Sequence, residues 1–100
     1  MHKIVFRIGL LGAALGLVAC GGETLDGAAL VQEKGCVACH GVDGKAVAMI
    51  YPNLNIQWEE YLRKQLIAYR SGERQNAIMG AQAMSLTDDE IRALAAHYGQ

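Results

Sequence analysis

The sequence predicts a small all-α fold. Two segments, 58–71 and 88–98, space their apolar residues so that they fall on one face of a helix. No strand-like alternation and no internal repeat appears in the 100 residues. We therefore expect three to four helices, packed around a bound group that adds stability to the small hydrophobic core.

Start and stop signals place the first two helices. Asp26 can cap a helix over about 27–34, and Gly35 ends it. The next helix covers 58–71, and Gly72 stops it. The apolar face of this second helix comprises Trp58, Leu62, Leu66 and Tyr69.

The last helix has the clearest start signal. Thr87 and Glu90 form a capping box, and Leu86 with Ile91 forms a hydrophobic staple. The helix then runs over 88–98 and ends at Gly99. Segments 41–55 and 73–85 lack periodicity, so we predict that both are loops. Apolar residues in the first loop indicate that it covers a nonpolar group.

The first 19 residues have the pattern of an export signal. Lys3 and Arg7 precede an apolar run of twelve residues over 8–19, which is too short to span a bilayer comfortably. The run ends at Cys20, in a context that resembles the lipobox of bacterial lipoproteins. We therefore expect a lipoprotein signal peptide over 1–19, lipid attachment at Cys20, a flexible tether over 20–26 and a folded domain over 27–100. An ordinary signal cleavage near Ala19 is the alternative.

Composition limits the partners and the stability of the remaining chain. The chain has nine basic and ten acidic residues, and loss of 1–19 removes two of the basic ones. The acidic balance makes nucleic acid an improbable partner. About 80 residues form a core worth only about 3–5 kcal/mol, so a cofactor is expected to add stability. Cys36 and Cys39 are too few cysteines for a disulfide framework.

The most specific motif is Cys36-Val37-Ala38-Cys39-His40, a C-x-x-C-H sequence. It is typical of covalent haem c attachment, with Cys36 and Cys39 as thioether residues and His40 as the proximal iron ligand. A thioredoxin-like dithiol would require a βαβ context. A zinc site would require four ligands, which the scattered histidines do not supply. Export agrees with the motif, because such haems are attached after translocation.

The second axial ligand has four candidates in the sequence: Met49, Met79, Met84 and His97. Met79 is predicted in the loop between two helices, next to the small residues Gly80 and Ala81. His97 is expected to face solvent beside the apolar stripe of the last helix. Spacing alone leaves Met84 and His97 open as rivals to Met79.

Residues 36–98 resemble class I cytochromes c, most closely one domain of the bacterial di-haem cytochromes c. The likeness lies in Cys36–Gly44 (CVACHGVDG), Pro52-Asn53-Leu54, 61–66 (YLRKQL), 69–72 (YRSG), Ile78-Met79 and 86–91 (LTDDEI). The resemblance implies that Met79, seven residues before Leu86, is the axial methionine. It also implies that the Pro52 carbonyl accepts the Nδ1 hydrogen of His40. Asn55 and Ile56 depart from the pattern, and a single C-x-x-C-H indicates one haem.

The resemblance implies a single-electron carrier without substrate turnover of its own. Its partners would be redox proteins that donate and accept electrons, and its location the periplasm, anchored to a membrane through lipid. The protein would be a monomer or part of a complex. The alternative is a permanent cytochrome subunit of an oxidoreductase whose catalytic centre is on another chain. A haem sensor would require an easily displaced Met79.

Two further expectations concern the surroundings of the haem. We expect an apolar lining from Val47, Ile50, Leu54, Leu66 and Leu94. A docking face of small apolar residues is expected near the exposed haem edge. It would comprise Val37, Ala38, Ala81 and Ala83.

Overall fold

A computed structural model describes residues 25–100 of the chain, so the predicted signal peptide, Cys20 and most of the predicted tether lie outside the described residues. Five helices follow one another in this part: α1 (Gly27–Glu33), α2 (Val37–His40), α3 (Glu59–Ser71), α4 (Ala77–Ala83) and α5 (Asp88–Tyr98). The described residues contain no strand. The predicted all-α class is therefore confirmed, with two helices, α2 and α4, in addition to the three whose ranges were predicted. None of these helices is long and apolar enough to cross a membrane.

The predicted helix starts agree with the structure. The Asp26 carboxylate accepts the Ala28 N–H at 3.0 Å at the start of α1. At α5 the Thr87 hydroxyl accepts the Glu90 N–H at 3.1 Å, and the Glu90 carboxylate accepts the Thr87 N–H at 3.0 Å. Both halves of the predicted capping box are thus formed. Gly72 ends α3 with a φ of 83°, a left-handed conformation that glycine adopts without strain.

The prediction of a loop over 73–85 is wrong in its middle. Residues Ala77–Ala83 form helix α4, and Met79 lies on this helix instead of in a loop. Asn76 caps it by accepting the N–H groups of Ile78 and Met79 at 3.1 and 3.0 Å. Asn76 is a favourable N-cap residue, so it was the one signal in the sequence from which α4 could have been predicted.

The core is small and centres on α5. Helix α5 packs against α1 and α3, and α3 also packs against α4. Among residues 25–100, nine hydrophobic residues are buried: Leu30, Val31, Leu62, Ala83, Leu86, Ile91, Leu94, Ala95 and Tyr98. Trp58, predicted on the apolar face of α3, is instead 76% exposed at the N-cap of that helix. The N-cap residue has an extended backbone, so its side chain does not continue the apolar face of the helix that follows.

Two ion pairs join the start of α5 to its neighbours. Lys34 at the end of α1 lies 3.0 Å from Glu90, and Arg70 on α3 lies 2.7 Å from Asp88. Arg70 also donates to the Leu86 carbonyl at 3.0 Å. These contacts fix the ends of α1 and α3 on either side of the α5 N-terminus.

Candidate functional site

The C-x-x-C-H motif forms one helical turn. The His40 N–H donates to the Cys36 carbonyl at 2.9 Å, and the Cys39 N–H donates to the same oxygen at 3.3 Å. Both thiols are free and half-buried. The turn therefore carries two sulfur nucleophiles and the imidazole of His40 on a single short element.

The His40 side chain is held in a defined tautomer. It is 7% exposed, and its Nδ1 lies 3.0 Å from the Pro52 carbonyl oxygen. A carbonyl oxygen can only accept, so Nδ1 carries a hydrogen, and in the neutral imidazole the lone pair is then on Nε2. Nε2 is therefore the nitrogen available to a metal ion. The Tyr98 ring packs edge-on against the imidazole, with 6.3 Å between ring centroids.

His40 lies on the wall of a mostly apolar pocket with a volume of about 240 Å³. Helix α3 forms one part of the wall, α5 another, and the segment after Pro52 a third. The lining residues include Cys36, His40, Pro52, Leu54, Leu62, Leu66, Met79, Leu94, Ala95 and Tyr98. Of the predicted apolar lining, Leu54, Leu66 and Leu94 are in place. Val47 and Ile50 are not, because both side chains are exposed on the preceding loop.

The four candidates for a second axial ligand differ in position. Met79 is half-buried and lines the same pocket as His40. Met84 is 74% exposed at the end of α4, and Met49 is fully exposed. His97 does not simply face solvent: it is half-buried, and its Nε2 lies 2.6 Å from the Val42 carbonyl oxygen. Among the four, Met79 alone lines the pocket that contains His40.

The electrostatics of the Cys36 thiol differ from those of a reactive redox cysteine. Burial raises the pKa of this thiol, and a hydrogen bond to its own backbone and the charge of nearby Lys34 offset only part of this rise. A reactive thiol pair requires a cysteine with a lowered pKa. Within residues 25–100 no three His, Cys, Asp or Glu side chains lie close enough together to hold a metal ion. The alternatives of a thioredoxin-like site and a tetrahedral zinc site therefore find no support in these residues.

Several polar side chains at the pocket were missed by the sequence analysis. Gln57, Tyr61, Gln65 and Arg74 line it, and so does Tyr69, which was predicted on the apolar face of α3. The four missed residues occur on α3 and in adjacent loops, where polar residues usually face solvent, so apolar periodicity gave no signal for them. One predicted surface residue is also corrected: Ala83, placed on the docking face, is completely buried.

Comparison with known proteins identifies the family. The family model described as Cytochrome c matches residues 25–98, which is most of the chain. The chain belongs to the cytochrome c family. This result confirms the resemblance to class I cytochromes c that the sequence indicated for residues 36–98.

Individual cytochromes c give the extent of the likeness. The chain is 38% identical to cytochrome c-553 of Helicobacter pylori over 95% of this chain and 93% of that protein. It is 47% identical to cytochrome c-554(548) of Halomonas halodenitrificans over 63% of this chain and 80% of that protein. It is 34% identical to the cytochrome subunit of sulfide dehydrogenase of Chlorobaculum tepidum over 64% of this chain and 57% of that protein.

The pocket suits the haem c of cytochromes c. Cys36 and Cys39 provide the two sulfurs for thioether bonds, and His40 offers an unprotonated Nε2. The surrounding walls are apolar enough to bury the flat face of a porphyrin. One motif and one such pocket fit one covalently bound haem.

Proposed function

We propose that the protein is a mono-haem electron carrier of a periplasmic respiratory chain, tethered to a membrane and without substrate turnover of its own. The observation that carries the proposal is the common pocket of His40 and Met79, in which the His40 Nδ1 is bound to the Pro52 carbonyl at 3.0 Å. Two protein ligands would leave the iron no open position for a substrate, and this favours electron transfer over catalysis.

In this proposal each residue has a separate role. Cys36 and Cys39 form the thioether bonds, His40 and Met79 bind the iron, and Pro52 fixes the orientation of the imidazole. The bound haem supplies the single-electron couple. The methionine sulfur, a weak donor, favours the ferrous state, so the reduction potential is expected to be comparatively high.

The surroundings of Pro52 support its role in orienting the His40 imidazole. The Pro52 carbonyl oxygen accepts the hydrogen bond from His40 Nδ1. The next residue, Asn53, anchors the same segment because its side-chain oxygen accepts the Ala46 N–H at 2.8 Å. The loop is therefore tied down immediately after Pro52. A fixed acceptor restrains imidazole rotation in both redox states, which reduces the structural change on electron transfer.

The ligand assignment can be tested by absorption spectra of the purified holoprotein in both redox states. We expect a weak methionine-to-iron charge-transfer band at the red end of the ferric spectrum. Met79→Ala should abolish the band, whereas the matched variant Met84→Ala should retain it. A native protein that lacks the band and binds carbon monoxide readily in the ferrous state would contradict the proposal and favour a haem sensor.

The membrane tether is supported by the sequence of residues 1–20, which lie outside the described residues. A signal over 1–19 and lipid at Cys20 would place the domain in the periplasm, joined to the membrane by the short tether over 20–26. Mass spectrometry of the mature N-terminus tests this directly. Cys20→Ser should release the cytochrome into the soluble periplasmic fraction, and an unlipidated wild-type Cys20 would refute the tether.

A permanent place in an oxidoreductase is the second candidate. It is favoured by the likeness to the cytochrome subunit of sulfide dehydrogenase, although the chain spans only 57% of that relative. Mild detergent extraction followed by native mass measurement separates the two functions. A carrier should have the mass of one mature chain, without residues 1–19, plus one haem and the lipid. A subunit should remain with a larger partner.

A further inference from the structure

The five residues that follow Pro52, here called the wall segment (53–57), form part of the pocket wall. Asn53, Leu54 and Gln57 line the pocket, whereas Ile56 is 68% exposed. None of the five residues is fully buried. Two of them, Asn55 and Ile56, depart from the family pattern. Because packing holds this segment only weakly, its position depends on hydrogen bonds.

The first half of the wall segment is bonded to the loop that follows the haem-binding motif. The Leu54 and Asn55 N–H groups both donate to the Gly44 carbonyl, at 2.7 and 3.2 Å. The Asn53 side chain accepts the Ala46 N–H at 2.8 Å. These bonds do not involve the carbonyl groups in the second half of the segment.

The second half is held by Gln100, two residues after the end of α5. The Gln100 N–H donates to the Gln57 carbonyl at 2.9 Å, and the Gln100 carbonyl accepts the Glu59 N–H at 3.0 Å. The Gln100 side-chain Nε2 donates to the Asn55 carbonyl at 2.8 Å. One residue thus supplies three hydrogen bonds to the stretch in which the sequence departs from the family pattern.

The residue before Gln100 approaches the same stretch closely. A Cβ added to Gly99 would lie 2.6 Å from the Glu59 Cα and 2.7 Å from the Glu59 backbone nitrogen. The Gly99 φ of −85° is open to any residue, so the close approach and not the backbone conformation requires glycine here. The Gly99 N–H donates to the Ala95 carbonyl at 2.8 Å, which joins this contact to α5.

We propose that Gln100 is a positioning residue: it holds the second half of the wall segment in place, limits the access of water to the bound haem and thereby raises the reduction potential. This inference rests on the proposed haem site. Water near a haem favours the ferric state, which carries one more positive charge than the ferrous state. Gln100 does not itself line the pocket, so it acts through Asn55 and Gln57.

The test is the reduction potential of the purified holoprotein. Gln100→Ala removes the side-chain bond to Asn55 and should lower the equilibrium constant for reduction by about two- to threefold. Gln100→Pro also removes the N–H that Gln57 accepts, so the constant should fall by about three- to tenfold, where tenfold corresponds to about 59 mV for one electron. The extended backbone of Gly99 accommodates a following proline.

Gln32→Ala is the matched control, because it removes the same side chain from an exposed position on α1 outside the pocket. It should leave the equilibrium constant unchanged. Equal constants in Gln32→Ala and Gln100→Pro would refute the role of Gln100.

Amide hydrogen exchange of the ferrous holoprotein shows whether the wall segment opens. The Glu59 N–H, which is bonded to the Gln100 carbonyl, should exchange faster in Gln100→Ala and faster still in Gln100→Pro. The Asn55 N–H is bonded to Gly44 and should be affected less. A lower potential without faster exchange at Glu59 would contradict the proposed cause.

A second variant disturbs the same contact without changing Gln100. Gly99→Ala places a methyl group against the Glu59 backbone, so it should lower the potential and speed the exchange of the Glu59 N–H. Wild-type potentials in both Gly99→Ala and Gln100→Pro would overturn the proposal.

The ferric methionine charge-transfer band separates this inference from the proposed function. A wild type without the band refutes the ligand set. All variants should keep the band, because the wall segment follows Pro52, the partner of His40, and does not include Met79. Loss of the band in Gln100→Ala would show that Gln100 acts on the ligand set instead of on the wall segment, and this inference would then be wrong.

Discussion

The Tyr98 hydroxyl joins the end of α5 to the turn that follows the haem-binding motif. It donates to the Gly41 carbonyl at 2.7 Å, and the residue is 5% exposed. Burial raises the pKa of this hydroxyl, so it stays protonated and keeps its donor across the physiological range. One hydrogen bond therefore fixes the backbone next to His40.

Tyr98→Phe should destabilise the holoprotein by about 1–3 kcal/mol, because it leaves the Gly41 carbonyl without its donor inside the protein. Chemical denaturation followed by the haem absorbance measures the change. Ser85→Ala is the control: Ser85 is exposed and lies outside the pocket, and its hydroxyl bonds to no described residue. We expect a change below about 0.5 kcal/mol there. Equal losses in both variants would show that the Tyr98 hydrogen bond is not the cause.

Glu90 makes stability depend on pH in the acid range. The Thr87 N–H, and next the Lys34 ammonium, hold the pKa of the Glu90 carboxyl below its usual value. A group whose pKa is lower in the folded than in the unfolded state stabilises the fold above the unfolded value, which is about 4.3 for glutamate. That contribution disappears as the pH falls through the folded pKa.

Glu90→Gln should therefore flatten the loss of stability between about pH 5 and the folded pKa of Glu90, while a glutamine still completes the capping box. The free energy of unfolding measured at several pH values tests this. Glu60→Gln serves as the control, since Glu60 is 67% exposed and its pair with Lys64 is on the surface. A wild type and a Glu90→Gln variant with parallel pH profiles would contradict the assignment.

Among individual residues, the sequence predicted those that attach the haem covalently but not the polar side chains that line the pocket. Cys36, Cys39 and His40 follow from one motif, because their chemistry requires neighbouring positions on one turn. Met79 required the family pattern, since its small neighbours Gly80 and Ala81 did not by themselves exclude Met84. Arg74 was missed because it reaches the pocket only through the packing of its side chain on Tyr69, a contact between positions that no short motif records.

Among the elements, α1 and α5 cross at very close range. A Cβ added to Gly27 would lie 2.5 Å from the Ala93 carbonyl oxygen and 2.7 Å from the His97 Cβ. The absence of a side chain at Gly27 therefore permits the two backbones to approach. Val31 and Ile91, both fully buried, fill the core beside the crossing.

Gly27→Ala should cost about 1–3 kcal/mol of stability, because the added methyl group forces the helices apart. Ala28→Ser is the control, as it adds one atom at the next, exposed position and should change stability by less than about 0.5 kcal/mol. Thermal unfolding of the two holoproteins compares them. A neutral Gly27→Ala would show that the crossing relaxes without cost.

Helices α3 and α5 could be predicted from their apolar periodicity, and the equally short α1 and α4 differ because only α1 had a recognised cap and stop signal, at Asp26 and Gly35. α3 and α5 have 13 and 11 residues, long enough for several turns of apolar periodicity. α4 has seven residues, with Gly80 in its middle, so it shows fewer than two turns of any pattern. Its stability depends on its cap at Asn76 and on packing against α3, and packing is a property of the assembled fold.

For the molecule as a whole, the core is too small to dominate stability. Only nine hydrophobic residues are buried in residues 25–100, and the pocket of about 240 Å³ lies among them. The free energy of unfolding of a chain of this size is only a few kcal/mol. A ligand that binds only the folded state adds its binding free energy to that value. The haem is thus expected to contribute much of the stability.

A Cys36→Ala/Cys39→Ala variant, which cannot attach haem, should lose most of its helical circular dichroism at 25 °C. The wild-type holoprotein should keep it. Cys20→Ser is the matched control, because it removes a cysteine outside the haem site and should leave the spectrum unchanged. A fully helical, cooperatively unfolding apoprotein would show that the polypeptide core is sufficient without its cofactor.

The pairing of α1 with α5 also constrains the order of folding. The contacts of Gly27 and Lys34 are with Ala93, His97 and Glu90, more than 50 residues later in the chain. The core therefore cannot close until α5 packs against α1. Before that step the pocket lacks the part of its wall that α5 supplies, so the sulfurs of Cys36 and Cys39 are more accessible to haem than in the folded domain.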